Sequence, residues 1–171
     1  TASAISADGN FSVVGFKDGD LRFYNKTSST PLWTYTADSD ILDVAISDNG
    51  SYIVVGSKDD FVYLFHKTNN SYLWKKDLDG DVSAVAISRD GEYIAAGGKD
   101  DKVVFFDKDS STPVWTSDDL GAQVIRIEMS HNGSYIVAGT EATGAGEAYF
   151  FSKSGGGGHV WKDDYGGPVT D

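Results

Sequence analysis

An all-β chain built from four copies of one unit is what this sequence predicts, on three observations. The first is a period. Ala-Ile-Ser ends at Ser6, Ser47 and Ser88, and a degenerate Glu-Met-Ser ends at Ser130, in steps of 41, 41 and 42 residues. The second is an independent marker on almost the same period: Trp33, Trp74, Trp115 and Trp161, in steps of 41, 41 and 46. The third is local. Apolar runs are short, rich in Val, Ile, Tyr and Phe, and divided by turn residues, and no segment carries a helical period.

The units follow in order as about 1–40, 41–81, 82–122 and 123–171. Aligning 42–77 with 83–118 gives 16 identities in 36 positions, so the second and third units are close copies. Each reads as four strands, in the third unit at 82–88, 92–98, 102–107 and 113–117. Arg89-Asp90-Gly91, Lys99-Asp100-Asp101 and residues 108–112 connect them, and such Asp-Gly and Asp-Asp steps between apolar runs are hairpin signals. Residues 52–55 and 103–106 are apolar without alternation, which suits strands buried on both faces. Four-stranded units of about 40 residues, packed face to face, are the blades of a β-propeller. The longer fourth step is absorbed by residues 140–147 and by a glycine run at 155–158.

The charge has a local explanation. Lys and Arg total 14 against 26 acids, a net −12, and 22 of those acids are Asp. Asp favours tight turns, where its short side chain bonds the nearby backbone. The same balance argues against a partner bound through a phosphate backbone, so no nucleic acid is expected. No apolar run approaches the ~18 residues of a membrane helix. The absence of cysteine removes disulfides, thiolate metal sites and cysteine nucleophiles, and leaves the compartment open.

Gly56-Ser57-Lys58-Asp59-Asp60, continuing through Val62-Tyr63-Leu64-Phe65 to Leu73-Trp74, resembles the pyrroloquinoline-quinone-type propeller repeat. Residues 85–97, from Val85-Ala86-Ile87-Ser88 to Ala95-Ala96-Gly97, are similar to Trp-Asp-type repeats. The Trp-Asp dipeptide is missing, since Trp33, Trp74, Trp115 and Trp161 precede Thr, Lys, Thr and Lys. The resemblance covers essentially the whole chain and implies a propeller. It does not imply a quinone-dependent dehydrogenase, because these propellers host many unrelated roles. Four units leave two arrangements open, a closed four-bladed ring or part of a larger ring or array, and two chains could supply eight blades.

Residues able to carry chemistry are sparse. His66, His131 and His159 are scattered, none with a second ligand at metal spacing in its own unit. No Gly-x-Ser-x-Gly elbow is present, and the Ser before each Asx-Gly turn recurs in every unit, which marks structure. Asp59-Asp60 and Asp100-Asp101 occupy equivalent hairpins and read as turn stabilisers ahead of a weak calcium site. One Trp per unit reads as packing between blades ahead of a sugar platform. No catalytic, cofactor or metal residue is expected, nor a cofactor.

Asparagine stands out. Five of six begin Asn-x-Ser/Thr, namely Asn10, Asn25, Asn49, Asn69 and Asn132. With 30 Ser and Thr in 171 residues, about one such match is expected by chance. All five fall in, or at the edge of, loops joining first to second or third to fourth strands, which share one end of a four-stranded meander. The acidic turns at Asp18, Asp59 and Asp100 and the enlarged loop 140–147 belong to the other end. These positions predict N-glycosylation on one side and a life outside the cytoplasm. The expectation is a non-enzymatic extracellular or cell-surface protein, structural or adhesive, that associates with copies of itself as a surface-layer, sheath or filament subunit. The open termini, a first strand at 1–6 and a tail at 165–171, suit completion by strand addition. The alternative is a soluble propeller that binds a carbohydrate or another ligand.

Overall fold

A computed structural model describes residues 2–141 and 146–165. It contains sixteen strands in four antiparallel sheets, each a simple meander of four consecutive strands. Blade 1 is β1 (Ala2–Ile5), β2 (Phe11–Gly15), β3 (Asp20–Asn25) and β4 (Trp33–Thr36). Blade 2 is β5 (Ile41–Ile46), β6 (Tyr52–Ser57), β7 (Phe61–His66) and β8 (Tyr72–Asp77). Blade 3 is β9 (Val82–Ile87), β10 (Tyr93–Gly98), β11 (Val103–Asp107) and β12 (Trp115–Thr116). Blade 4 is β13 (Gln123–Met129), β14 (Tyr135–Glu141), β15 (Gly146–Ser152) and β16 (His159–Tyr165). A single 3-10 turn at Lys153–Gly155 is the helical content among the described residues. The architecture is the β-propeller blade, repeated.

One turn explains the period. Ser88 is fully buried at the end of β9. Its hydroxyl donates to Asp90 Oδ1 at 2.7 Å and accepts the Tyr93 N–H at 2.9 Å. Gly91 closes the turn at φ 81°, where a side chain is disfavoured. The arrangement recurs at Ser6-Asp8, Ser47-Asn49 and Ser130-Asn132. The sequence marker is therefore a hydrogen-bonded device that aims the second strand back along the first.

Burial separates the blades into two kinds. In β6, five consecutive residues from Ile53 to Ser57 are buried, because blades 1 and 3 cover both faces of that sheet. In β14 burial alternates between Ile136 and Ala138 inside and Tyr135 and Val137 outside. Blade 4 is covered on one face, and so is blade 1, where β3 alternates in the same way. The core lies in the three seams between consecutive sheets. Each fully buried Phe or Leu there contributes about 1.5–3 kcal/mol of transfer free energy.

Each seam is made alike. The indole N–H of Trp33 donates to the Lys67 carbonyl at 3.0 Å, that of Trp74 to Lys108 at 2.7 Å, and that of Trp115 to Lys153 at 2.9 Å. The backbone N–H of Ala7, Asp48 and Arg89 donates to the carbonyl of Asp48, Arg89 and His131. β1 packs beside β5, β5 beside β9, and β9 beside β13. Among the described residues no such seam joins β13 back to β1, so the four sheets form an open array instead of a closed four-bladed ring. The expected tail beyond residue 165 and most of the enlarged loop, residues 142–145, lie outside the described residues.

Candidate functional site

Two regions have the character of a site, and both arise where the array is open. The first is the cleft of about 580 Å³ bounded by β1, β5, β9 and β13. Most of its wall is backbone and small apolar side chains, because first strands crowd together there. Its charged residues are Asp43, Arg126 and Glu128. Asp43 sits at a register shift in β5, and its carboxylate accepts the N–H of Val44 and of Val85, both at 2.9 Å. Burial pushes the Asp43 carboxyl up, opposed by those two hydrogen bonds and by the Arg126 charge. Asp43 thus ties blade 2 to blade 3 and has its acceptors engaged. Beside it, Ser83 donates to the Val124 carbonyl at 2.6 Å and accepts from Gln123.

The second region is the outer face of blade 4. Tyr135 stacks on Phe150 at 5.4 Å, and Phe150 on Trp161 at 5.2 Å. Tyr135 is 51% exposed, Trp161 47% and Val137 39%. The same ladder is buried in blade 3, where Tyr93, Phe105 and Trp115 stack and Phe151 of blade 4 adds a fourth ring. In blade 1 it is Phe11, Phe23 and Trp33, with Phe65 of blade 2 as the fourth. Blade 4 therefore presents a finished seam surface with nothing laid against it among the described residues.

The asparagines predicted as glycan acceptors all lie at one end of the blades, Asn10, Asn49, Asn69 and Asn132 in the β1–β2, β5–β6, β7–β8 and β13–β14 connections and Asn25 as the last residue of β3. Asn49, Asn69 and Asn132 are exposed, and Asn10 and Asn25 half-buried. The side-chain oxygen of Asn25, Asn49, Asn69 and Asn132 accepts the backbone N–H two residues on. Their Nδ2 atoms, where a sugar would attach, make no hydrogen bond to a described residue. Asn10 differs, since its Nδ2 donates to Asp8 at 2.5 Å. Asn49 and Asn132 hold the position that Asp8 and Asp90 hold in the other blades, so the motif serves the turn whether or not it carries sugar.

The remaining candidates are structural. Asp59 accepts the N–H of Asp38 and Phe61 and the Tyr63 hydroxyl, so its hairpin is pinned to the preceding blade. Burial and the Asp59 charge push the Tyr63 hydroxyl far up. His66 pairs with Thr68, His131 sits in an exposed turn, and His159 lies edge-on to Tyr149. No group of three His, Cys, Asp or Glu that could hold a metal occurs among the described residues. Three of the four tryptophans pack in seams. What sequence reasoning missed is Trp161: its spacing makes it equivalent to the others, and only the sheet count shows that its seam is unoccupied.

Residues 17–161 match the family model of outer membrane protein assembly factor BamB. The chain belongs to this BamB-type family. Its repeat is the pyrroloquinoline-quinone type. No curated protein sequence matches the chain. Among solved structures 1408 chains match, so the architecture is common and carries no single role. One of them, a chain in the crystal structure of the mitotic checkpoint complex, superposes with a TM-score of 0.82 at 18% identity. The match covers 98% of this chain and 54% of that one, so the chain spans about half the length of that neighbour. Identity this low shows the fold alone. BamB-type repeats also occur in quinoprotein enzymes, but the cleft here does not fit such a cofactor. Pyrroloquinoline quinone is a polycarboxylate, and the lining opposes it with Asp43 and Glu128 against the single guanidinium of Arg126.

Proposed function

We propose that the chain is a non-catalytic interaction module that assembles with copies of itself, as a structural or adhesive component displayed outside the cytoplasm with N-linked sugars on one end of its blades. The observation that carries this reading is the uncovered aromatic face of blade 4. An apolar sheet face of that kind is a surface built to be buried against another sheet. The placement of all five Asn-x-Ser/Thr motifs at a single end supports the extracellular part, because sugars there leave the sheet faces free to pack. No helix among the described residues is long and apolar enough to cross a membrane.

Mass spectrometry of the natively purified protein, first denatured and then native, tests both parts. Denatured mass above 18.3 kDa in sugar-sized steps, with the steps removed by an N-glycosidase, supports display outside the cytoplasm. Native mass at a multiple of the chain supports assembly. A bare monomer at every concentration defeats the proposal. The cleft favours a second reading, a propeller that takes a small carbohydrate or other neutral ligand against Arg126 and Glu128. Saturable glycan binding that Arg126→Ala abolishes would favour it.

A further inference from the structure

We infer that the groove between blades 2 and 3 is a binding site for a phenol, a ring the size of a tyrosine side chain whose hydroxyl donates to Asp100. The inference depends neither on self-assembly nor on the cleft, and both blades it uses lie inside the array. Its basis is a difference between repeats. Four aromatic residues that fill the seam between blades 1 and 2 are missing from the next seam, while the acid that one of them serves is kept.

Between blades 1 and 2, Tyr35, Phe61, Tyr63 and Tyr72 pack together. Ring centroids are 5.7 Å apart for Tyr35 and Tyr63, 6.0 Å for Phe61 and Tyr63, and 5.8 Å for Tyr63 and Tyr72. Tyr63 is buried, and its hydroxyl donates to Asp59 Oδ2 at 2.7 Å. The Lys75 ammonium lies over the Phe61 ring at 3.9 Å. One repeat later, 41 residues on in each case, the four aromatic positions hold Lys76, Lys102, Val104 and Pro113, and Asp59 becomes Asp100. All five line a groove of about 250 Å³. Between blades 3 and 4 the position of Tyr63 is again a tyrosine, Tyr149, whose hydroxyl donates to Glu147 and to the Leu120 carbonyl. Among the described residues the middle seam alone keeps its acid without a tyrosine hydroxyl upon it.

What lines the groove complements the missing ring. Val104 and Leu78 are buried and Pro113 is half-buried, so they supply apolar walls. Asp100 is half-buried and is held by backbone N–H groups, that of Lys102 at 3.4 Å among them, with no side-chain donor among the described residues. Burial pushes its carboxyl up, opposed by those N–H groups and by the Lys102 charge. A carboxylate so placed gains from a hydroxyl donor, as Asp59 does from Tyr63. Lys76 of blade 2 and Lys102 of blade 3 bring two ammonium groups to the same space. An ammonium over a ring face is the contact that Lys75 already makes one seam away. A sugar could serve the acid but offers the lysines no π face. An aromatic acid would meet Asp77, Asp79 and Asp100, which outnumber the lysines. The neutral phenol satisfies both.

Titration of the full chain with p-cresol, followed by NMR at the methyl groups of Leu78 and Val104, tests this. The expected result is saturable binding in the millimolar range, as suits a ligand of so few atoms. Toluene, which lacks the hydroxyl, should bind about tenfold more weakly. Asp100→Asn, which keeps a turn-forming side chain and removes the charge, should weaken p-cresol severalfold and leave toluene unchanged. Val104→Tyr, which restores the residue of blade 2, should fill the groove, abolish p-cresol binding and raise the melting temperature, and the melt also verifies that the variant folds. N-acetyltyrosinamide separates the two sources of a phenol. Binding tighter than that of p-cresol assigns the site to a tyrosine side chain of a partner, and weaker binding to a free phenol; either supports it. Absence of saturation, equal affinity for p-cresol and toluene, or p-cresol binding that survives Val104→Tyr would each overturn the inference.

Discussion

Ser88 shows how much one hydroxyl can organise. It is buried, it accepts the Tyr93 N–H and it donates to Asp90, so Ser88→Ala leaves a buried donor without a partner. The expected cost is about 1–3 kcal/mol in urea unfolding. The Ser88 hydroxyl, helped by the Glu92 N–H and opposed by partial desolvation, also holds the Asp90 carboxyl below its ordinary 3.8. A carboxyl lowered on folding gives stability that is present above 3.8 and lost as pH falls through its depressed folded value. Asp90→Asn, which imitates blades 2 and 4, should keep the turn at neutral pH and flatten the pH dependence of stability in the acid range. A melting series between pH 2 and 5 would reveal an unchanged slope if Asp90 were uninvolved. At the opposite end of the blades, Asp60 has φ 72° where blade 1 has Gly19 at φ 86°. Asp60→Gly should therefore be neutral or slightly stabilising, and Asp60→Val should cost about 1–2 kcal/mol, both read from thermal melts.

At the scale of the element, a blade is a sheet with two different faces, and the seams give each face a different value. Trp115 is buried, stacked between Phe105 and Phe151, and bonded to the Lys153 carbonyl. Trp115→Phe removes that hydrogen bond together with one ring of the buried indole and should cost about 1–3 kcal/mol. Trp115→Ala also opens a cavity and should cost about 3–5 kcal/mol. Trp161 holds the same position in its own sheet yet stands 47% exposed, so Trp161→Ala should change the stability of the isolated chain by less than about 1 kcal/mol. Equal losses at Trp115 and Trp161 in denaturant titrations would contradict an unoccupied fourth seam. The repeat was legible because Ser, Asx, Gly and Trp each occupy a hydrogen-bonding position that cannot drift. Single-face burial in blades 1 and 4 was not, since β14 and β6 are both rich in Val, Ile and Tyr and differ only in what lies beside them.

Across the whole molecule the net charge of −12 opposes both folding and association by self-repulsion. Added salt screens charges over about 10 Å at 0.1 M, so raising NaCl from 0.05 to 0.5 M, roughly a threefold shortening of the Debye length, should raise the melting temperature and strengthen the proposed self-association. Sedimentation in the two salts checks this, and association that falls with salt would point to a contact between opposite charges instead of apolar faces.

Period, strand order and turn chemistry were determined by sequence alone, because each rests on contacts within about ten residues or on residues one repeat apart. The five Asn-x-Ser/Thr motifs were equally visible, and their shared end follows from strand count in a meander. Tertiary structure decided the rest. Whether a Trp is core or surface depends on whether another sheet lies against it, which no single repeat encodes. The open array, the cleft bounded by the first strands and the exposed ladder Tyr135–Phe150–Trp161 all follow from one physical fact: four twisted sheets, each seated on the next through the same seam, leave the first and last faces without a neighbour among the described residues.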